Sequence, residues 1–192
     1  MKQIIQQSLD SHAEVLRAVG SQLIDRIAEA GEILIAALER GNKILLCGNG
    51  GSAADAQHIA AELTGRFLKT NRRPLPAIAL TTDTSALTAV GNDFGFDHIF
   101  SRQLQALGSQ GDILVAISTS GNSANVLAAV TAAAALGLNT LALTGGNGGK
   151  LKEVADIALV MPSSHTPHIQ EMHILIAHIL CDLIDRHFSS SD

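Results

Sequence analysis

Apolar residues recur at steps of four and seven over positions 4 to 39. Ile5, Leu9, Leu16, Leu23, Ile27, Leu34 and Leu38 fall on one helical stripe. Gly20-Ser21 divides this region into two predicted helices, and Gly41-Asn42 ends it. The rhythm then changes. Residues 43–47, 76–80, 112–117, 140–144 and 157–161 are short, nearly continuous apolar runs, the pattern of strands buried on both faces of a parallel sheet. Helices are predicted at 52–65, 97–107, 122–136 and 149–155, with a last one at 168–187 that is apolar around most of its circumference. This alternation predicts an α/β fold with right-handed crossovers. No linker, repeat or low-complexity stretch interrupts it, so one domain is expected.

Composition sharpens the picture. A chain of 192 residues is long enough for one substantial core, and with no Trp or Tyr and five Phe that core must be aliphatic. A mean hydropathy of +0.25 points to apolar surface covered in an oligomer, although abundant alanine accounts for part of it. The net charge of −5 argues against a nucleic-acid or anionic-membrane surface. The most basic stretch, Lys69 to Arg73, reads as a solvated loop. Cys47 and Cys181 lie far apart in apolar segments, as buried free thiols of a reducing compartment do. The first residues, Met1-Lys2-Gln3-Ile4-Ile5-Gln6-Gln7, do not form a secretory signal, and no apolar run reaches the roughly 18 residues of a membrane span. A soluble, cytoplasmic protein is expected.

Two loops that directly follow predicted strands have the makings of anion sites. Cys47-Gly-Asn-Gly-Gly-Ser52 precedes the 52–65 helix, and Ser118-Thr-Ser-Gly-Asn-Ser123 precedes the 122–136 helix. Open α/β sheets bind ligands at the carboxyl ends of their strands. Glycines allow close backbone approach, the following helix supplies free N–H groups, and the hydroxyls of Ser118, Thr119, Ser120 and Ser123 add neutral donors suited to a phosphate. Neither loop carries a GxGxxG or GxxxxGK[ST] fingerprint, and each alone reads equally well as a turn with a helix cap. A third segment, Gly91-Asn-Asp-Phe-Gly-Phe-Asp97, is either a polar loop capping a helix at 97 or a place where Asn92 and Asp93 meet sugar hydroxyls. Spacing leaves both readings open.

His58 and Glu62 are four apart on the 52–65 helix and share a face, as an ion pair, a metal-binding pair or a general base beside a ligand. On the last helix Glu171, His178, Asp182 and Asp185 form a stripe that reads as its solvated face. His12, His98 and His187 read as surface residues, and His165 and His168 have no evident role.

Taken together, these motifs resemble the phosphoheptose isomerases of the sugar-isomerase (SIS) domain superfamily, over nearly the whole chain. The likeness rests on Cys47–Ser52, Asp55-Ala-Gln-His, Glu62-Leu-Thr-Gly-Arg66, Gly91–Phe96, Ser118–Asn125, Leu143-Thr-Gly and Ile169-Gln-Glu-Met-His173 followed by His178. It implies one SIS domain over 1–192, a flavodoxin-like, doubly wound five-stranded parallel sheet with flanking helices. The amino-terminal helical extension, 1–40, would pack in a homotetramer with active sites at subunit interfaces. It implies conversion of sedoheptulose 7-phosphate to D-glycero-D-manno-heptose 7-phosphate through an enediol, the first step towards ADP-heptose and the lipopolysaccharide core.

Carried over by residue, Asn49, Gly50, Gly51 and Ser52 would line the substrate site. Ser118, Thr119, Ser120 and Ser123 would hold the phosphate, and Asn92, Asp93 and Gln170 would contact substrate. Glu62, also at the substrate, and His178 would be the acid–base pair. His58, Glu62, Gln170 and His178 would hold one zinc ion per subunit. A Glu62 in both roles would have to shift during turnover. The chain departs from the family at His168, where an arginine is common.

Gln170 and His178 are eight residues apart, about 12 Å along a continuous helix. One ion is out of reach of both from one chain, so either they serve from different subunits or the helix starts after Gln170. Three rival readings remain. A related regulator binds the bacterial replication initiator but lacks the counterparts of Glu62 and His178. A sugar-phosphate-responsive transcription regulator would need a basic DNA-binding segment, and the acidic helices of residues 4–39 do not supply one. An isomerase of another phosphosugar would share the phosphate loops.

Overall fold

The computed structural model describes residues 1–189. Two helices, α1 (Lys2–Gln22) and α2 (Ile24–Glu39), precede β1 (Ile44–Gly48) and α3 (Gly51–Thr64). Next come β2 (Ala77–Ala79), α4 (Thr84–Phe94), a 3₁₀ turn (Phe96–His98), α5 (Ser101–Leu107) and β3 (Ile113–Ile117). The chain continues through α6 (Ala124–Ala135), β4 (Asn139–Gly145), α7 (Leu151–Val154), β5 (Ile157–Met161) and α8 (Thr166–Phe188).

The five strands are parallel in the order β2-β1-β3-β4-β5, as expected of a flavodoxin-like sheet. The order reverses between β1 and β3, which pair from Ile44↔Ile113 to Gly48↔Ile117. The loops after these two strands therefore leave the sheet side by side, at the switch point where such sheets bind ligands.

Both faces of the sheet are covered. Residues of α1, α2, α3 and α8, such as Leu34, Leu38, Leu63 and Ile176, pack with Ile44, Leu46 and Val115 on one face. Phe100, Leu104, Val126 and Val130 of α5, α6 and the chain before α5 pack with Leu45, Cys47 and Leu114 on the other. No helix among the described residues is long and apolar enough to cross a membrane.

Several expectations need correction. The break between the first two helices falls at Leu23, not at Gly20-Ser21. The helix expected at 97–107 is a 3₁₀ turn followed by α5. The polar loop expected at 91–97 is half helix, because α4 runs to Phe94. Asp83 caps α4 by accepting a hydrogen bond from the Ala86 N–H at 2.9 Å. Finally, α1 buries Val15 and Val19, whereas Ile5, Leu9 and Leu16 of the predicted stripe are exposed.

Candidate active site

The chain leaves β1 at Gly48 and turns into α3 through Asn49 and Gly50. A Cβ on Gly48 would lie 2.8 Å from the Ser52 Cβ, so the turn closes only with glycine there. Gly50 sits at φ 55°, in left-handed space. Ser52 is buried in the first turn of α3, next to Gly51. The Asn49 side chain exchanges two 2.8 Å hydrogen bonds with that of Asn125, at the start of α6. This reciprocal pair ties the first loop to the second across the switch point.

In the second loop, the Ser118 and Ser123 hydroxyls lie 3.0 Å apart. Ser123 occupies the N-cap position of α6 without capping it through its side chain, because the hydroxyl turns towards Ser118. The Ser120 hydroxyl accepts from the Asn122 N–H at 3.2 Å, and Thr119 stands between Ser118 and Ser120 in the same turn. Gly121, at φ 65°, presses on the backbone of Gly148, and a Cβ there would lie 2.0 Å from the Gly148 carbonyl oxygen. Hydroxyls and a helix N-terminus without a Ser123 side-chain cap form an arrangement suited to phosphate.

Beside the first loop, α3 and α8 face one another. His58 Nε2 is 3.0 Å from His178 Nε2 and 3.5 Å from Glu62 Oε1. The His178 ring stacks on Phe67, with centroids 5.4 Å apart at 18°. Behind Glu62, the Arg72 guanidinium donates to the carbonyls of Glu62 and Leu63 at 2.8 and 2.9 Å and pairs with Asp185. Asp185 also accepts from the Leu68 and Lys69 N–H groups at 2.7 and 2.8 Å. Burial alone would raise the Asp185 pKa, but its bonds with Lys69, Arg72 and Leu68 outweigh burial and hold it below the usual carboxylate value.

Two expectations fail here. Arg72, in the stretch read as a solvated loop, is buried. So is Asp185, read as part of a solvated stripe. The stripe reading failed because α8 is covered on most sides, so a carboxylate on it meets a guanidinium and two amides instead of water.

Gln170 stands apart from this cluster. Its Nε2 donates to both carboxylate oxygens of Asp55, at 2.8 and 2.9 Å. Burial raises the Asp55 pKa, and the Gln170 bond offsets part of that rise. Because α8 is unbroken from Thr166, Gln170 and His178 lie about 12 Å apart along it. Within one chain His58 touches both Glu62 and His178, and Gln170 does not join them. Asn92 and Asp93 are exposed at the end of α4, hydrogen-bonded to each other at 2.7 Å.

A different His/Glu group has metal-binding geometry: His12, His168 and Glu171, whose donor atoms all lie within 4.8 Å of one another. His168, given no role from sequence, is buried there, and Glu171 and His12 are partners and not independent surface residues. Sequence reasoning also missed roles for Asn125, Asp55, Phe67 and Arg72. Asn125 and Asp55 stood within motifs already singled out. Asp55 is three residues before His58 on the same helix, a spacing that could have drawn attention to it.

The SIS domain family matches residues 8–145, and the chain belongs to that family. Within it, the chain belongs to the phosphoheptose isomerases. It is 57% identical over 189 residues to the phosphoheptose isomerase of Aliarcobacter butzleri, a match covering 98% of this chain and 100% of the relative. The solved phosphoheptose isomerase of Neisseria gonorrhoeae superposes with a TM-score of 0.91 at 48% identity, covering 96% of this chain and 98% of that one. The enzyme of Francisella tularensis gives 0.93 at 44%, covering 96% and 97%.

Proposed function

We propose that this chain interconverts sedoheptulose 7-phosphate and D-glycero-D-manno-heptose 7-phosphate, supplying the first step towards ADP-heptose and the lipopolysaccharide core in the cytoplasm. The observation that carries this reading is the meeting of His58 with Glu62 and His178 from two facing helices, in a chain whose switch-point loops carry hydroxyls and a helix N-terminus suited to phosphate. Similarity to enzymes named phosphoheptose isomerase over almost the whole chain supports the same substrate.

In this mechanism Ser118, Thr119, Ser120 and Ser123 hold the phosphate, and Asn49, Gly50, Gly51 and Ser52 line the sugar. Asn92 and Asp93 contact its hydroxyls, and Gln170 stands at the substrate. The Glu62 carboxylate takes a proton from C1 of the ketose and returns it to C2 of the enediol. His178 gives a proton to O2, which becomes the hydroxyl, and accepts the one leaving O1, which becomes the aldehyde oxygen. Atoms and electrons balance without an oxidant or reductant. Stacking on Phe67 fixes the plane of the His178 ring, and Arg72 fixes the end of α3 that carries Glu62.

The cofactor we assign is zinc, one ion per subunit. Two imidazole nitrogens facing each other at 3.0 Å, with the Glu62 carboxylate oxygen 3.5 Å from the His58 nitrogen, offer the nitrogen and oxygen donor types that zinc takes. His58, Glu62 and His178 would hold it together with the partner subunit's Gln170, whose amide nitrogen is committed to Asp55 and whose oxygen is left for the ion. Bound there, zinc supplies Lewis-acid polarisation of the substrate carbonyl.

Such sharing needs an oligomer, and we assign a homotetramer with its sites at subunit interfaces. Exposed Ile4, Ile5 and Leu9 on α1 and Ile179 and Leu183 on α8 give apolar surface for it. The whole chain, 1–192, is then one SIS domain whose helices 1–40 pack in the assembly.

The test is turnover of sedoheptulose 7-phosphate by the purified chain, with zinc and with chelator, beside hexose and pentose phosphates. Preferred conversion of the heptulose phosphate, reduced on chelation, is expected. Preference for a shorter sugar phosphate, or no turnover by a folded oligomer, would overturn the reading.

A further inference from the structure

Away from the catalytic set, α1 meets the first turns of α8 through three residues whose chemistry the isomerisation does not use. His12 Nδ1 lies 2.8 Å from Glu171 Oε2, and His168 Nδ1 lies 2.9 Å from the same oxygen. The two imidazole rings meet edge to face with centroids 5.8 Å apart. His12 and Glu171 are 159 positions apart in the chain, so only the fold brings the three together. Two imidazole nitrogens converge on one carboxylate oxygen at a partly open surface, so three donor atoms already face one point. The same three atoms, once the two nitrogens give up their protons, are positioned to share a divalent ion.

We propose that His12, His168 and Glu171 form a second metal site, which takes a zinc-class divalent ion and staples α1 to α8. Two nitrogen donors and one oxygen donor match borderline ions such as zinc, cobalt or nickel better than magnesium or calcium, which favour oxygen throughout. Around tetrahedral zinc, with bonds of about 2.0–2.2 Å, neighbouring donor atoms sit about 3.4 Å apart. The two imidazole–Glu171 separations need to open by only about half an ångström, and two of the three side chains are partly exposed and free to give.

A fourth position is available. An open groove lined by Gln7, Ser8, Ser11 and His165 runs alongside His168, and the His165 ring lies 4.5 Å from the His168 ring. Water from the groove or the His165 imidazole completes the shell. The site shares no residue with the catalytic set, so it stands or falls separately.

The test uses the full chain, stripped with chelator and titrated with cobalt, whose visible absorption reports imidazole–carboxylate ligation. Metal per chain is counted after equilibrium dialysis. In the H58Q/H178Q variant, which lacks both imidazole donors of the catalytic set, one cobalt per chain is expected to remain. Adding H12Q, or separately E171Q, removes it, with circular dichroism checking that each variant is folded. Zinc should also raise the melting temperature of H58Q/H178Q by a few degrees and leave the triple variant unmoved. No uptake by folded H58Q/H178Q at micromolar cobalt, or uptake that neither H12Q nor E171Q reduces, overturns the proposal. If wild type and H58Q/H178Q bind equally and both lose the ion with H12Q, this site is supported and the catalytic metal is refuted.

Discussion

Asn49 and Asn125 hold each other through two 2.8 Å amide hydrogen bonds, one residue from the loop after β1 and the other from the helix after β3. Each side chain is the complete partner of the other, so the two ligand loops are set at a fixed separation before any substrate arrives. On the proposed reading Asn49 would therefore serve the site through its backbone and its position, since its side chain is already committed.

Replacing Asn125 with alanine leaves the Asn49 amide half-buried without its partner. A loss of about 1–2 kcal/mol is expected in urea unfolding. Because the loop proposed to hold the phosphate loses its registration with the first loop, KM for the sugar phosphate should rise more than kcat falls. Unchanged stability and KM would show that the pair has no organising role.

Arg72 and Asp185 form the buried pair that fastens the end of α3 to α8, and hence Glu62 to the helix of His178. Asp185→Asn leaves the guanidinium buried without a counter-charge, a change that costs roughly 3–5 kcal/mol in comparable sites. Thermal unfolding measures the loss. In whatever folded fraction remains, kcat should drop although neither residue touches substrate.

Burial pushes the His173 imidazole down to about 4 from its ordinary 6.5. Its Nε2 donates to the Thr144 carbonyl at 3.1 Å, and its Nδ1 is buried without a partner, so a proton placed there would find no acceptor. The folded state thus binds the proton less readily than the unfolded chain. The stability this confers is complete above about pH 6.5 and is lost as pH falls towards about 4, by roughly 3 kcal/mol. Urea midpoints at pH 7 and pH 4.5 should diverge less in His173→Gln than in wild type. Equal slopes would contradict the assignment.

The thiols of Cys47 and Cys181 are pushed up to about 12, by burial in both and, for Cys181, also by the charges of Glu62 and Asp185. Neither forms appreciable thiolate at neutral pH. A thiol reagent should label the native chain only at the rate of unfolding and both cysteines promptly in denaturant. Fast labelling of the folded protein would place one of them in an accessible site.

Much of this was legible in the sequence for a physical reason. A strand buried on both faces must be apolar throughout, so all five strands stood out, and the loops after β1 and β3 carried glycines and hydroxyls in the open. The α4 helix was missed because none of its residues is buried, which left no clear periodic stripe, although Asp83 at its N-cap and the spacing of Leu87, Val90 and Phe94 were available. Arg72 and Asp185 were misread because burial of a charge depends on a partner 113 positions away, which spacing along the chain cannot reveal. The separation of Gln170 from His178 was legible, since a continuous helix fixes it, and only its attachment to Asp55 needed the structure.

The central claim is that Glu62 and His178 are the base and the proton partner of an enediol isomerisation. Steady-state turnover of sedoheptulose 7-phosphate by Glu62→Gln and His178→Ala tests it most directly, with folding and oligomeric state checked beside wild type. Each variant should bind the sugar phosphate but lose about 10²–10⁴-fold in kcat, the usual contribution of a positioned acid or base. A folded Glu62→Gln protein that turns over within a few-fold of wild type would contradict the account.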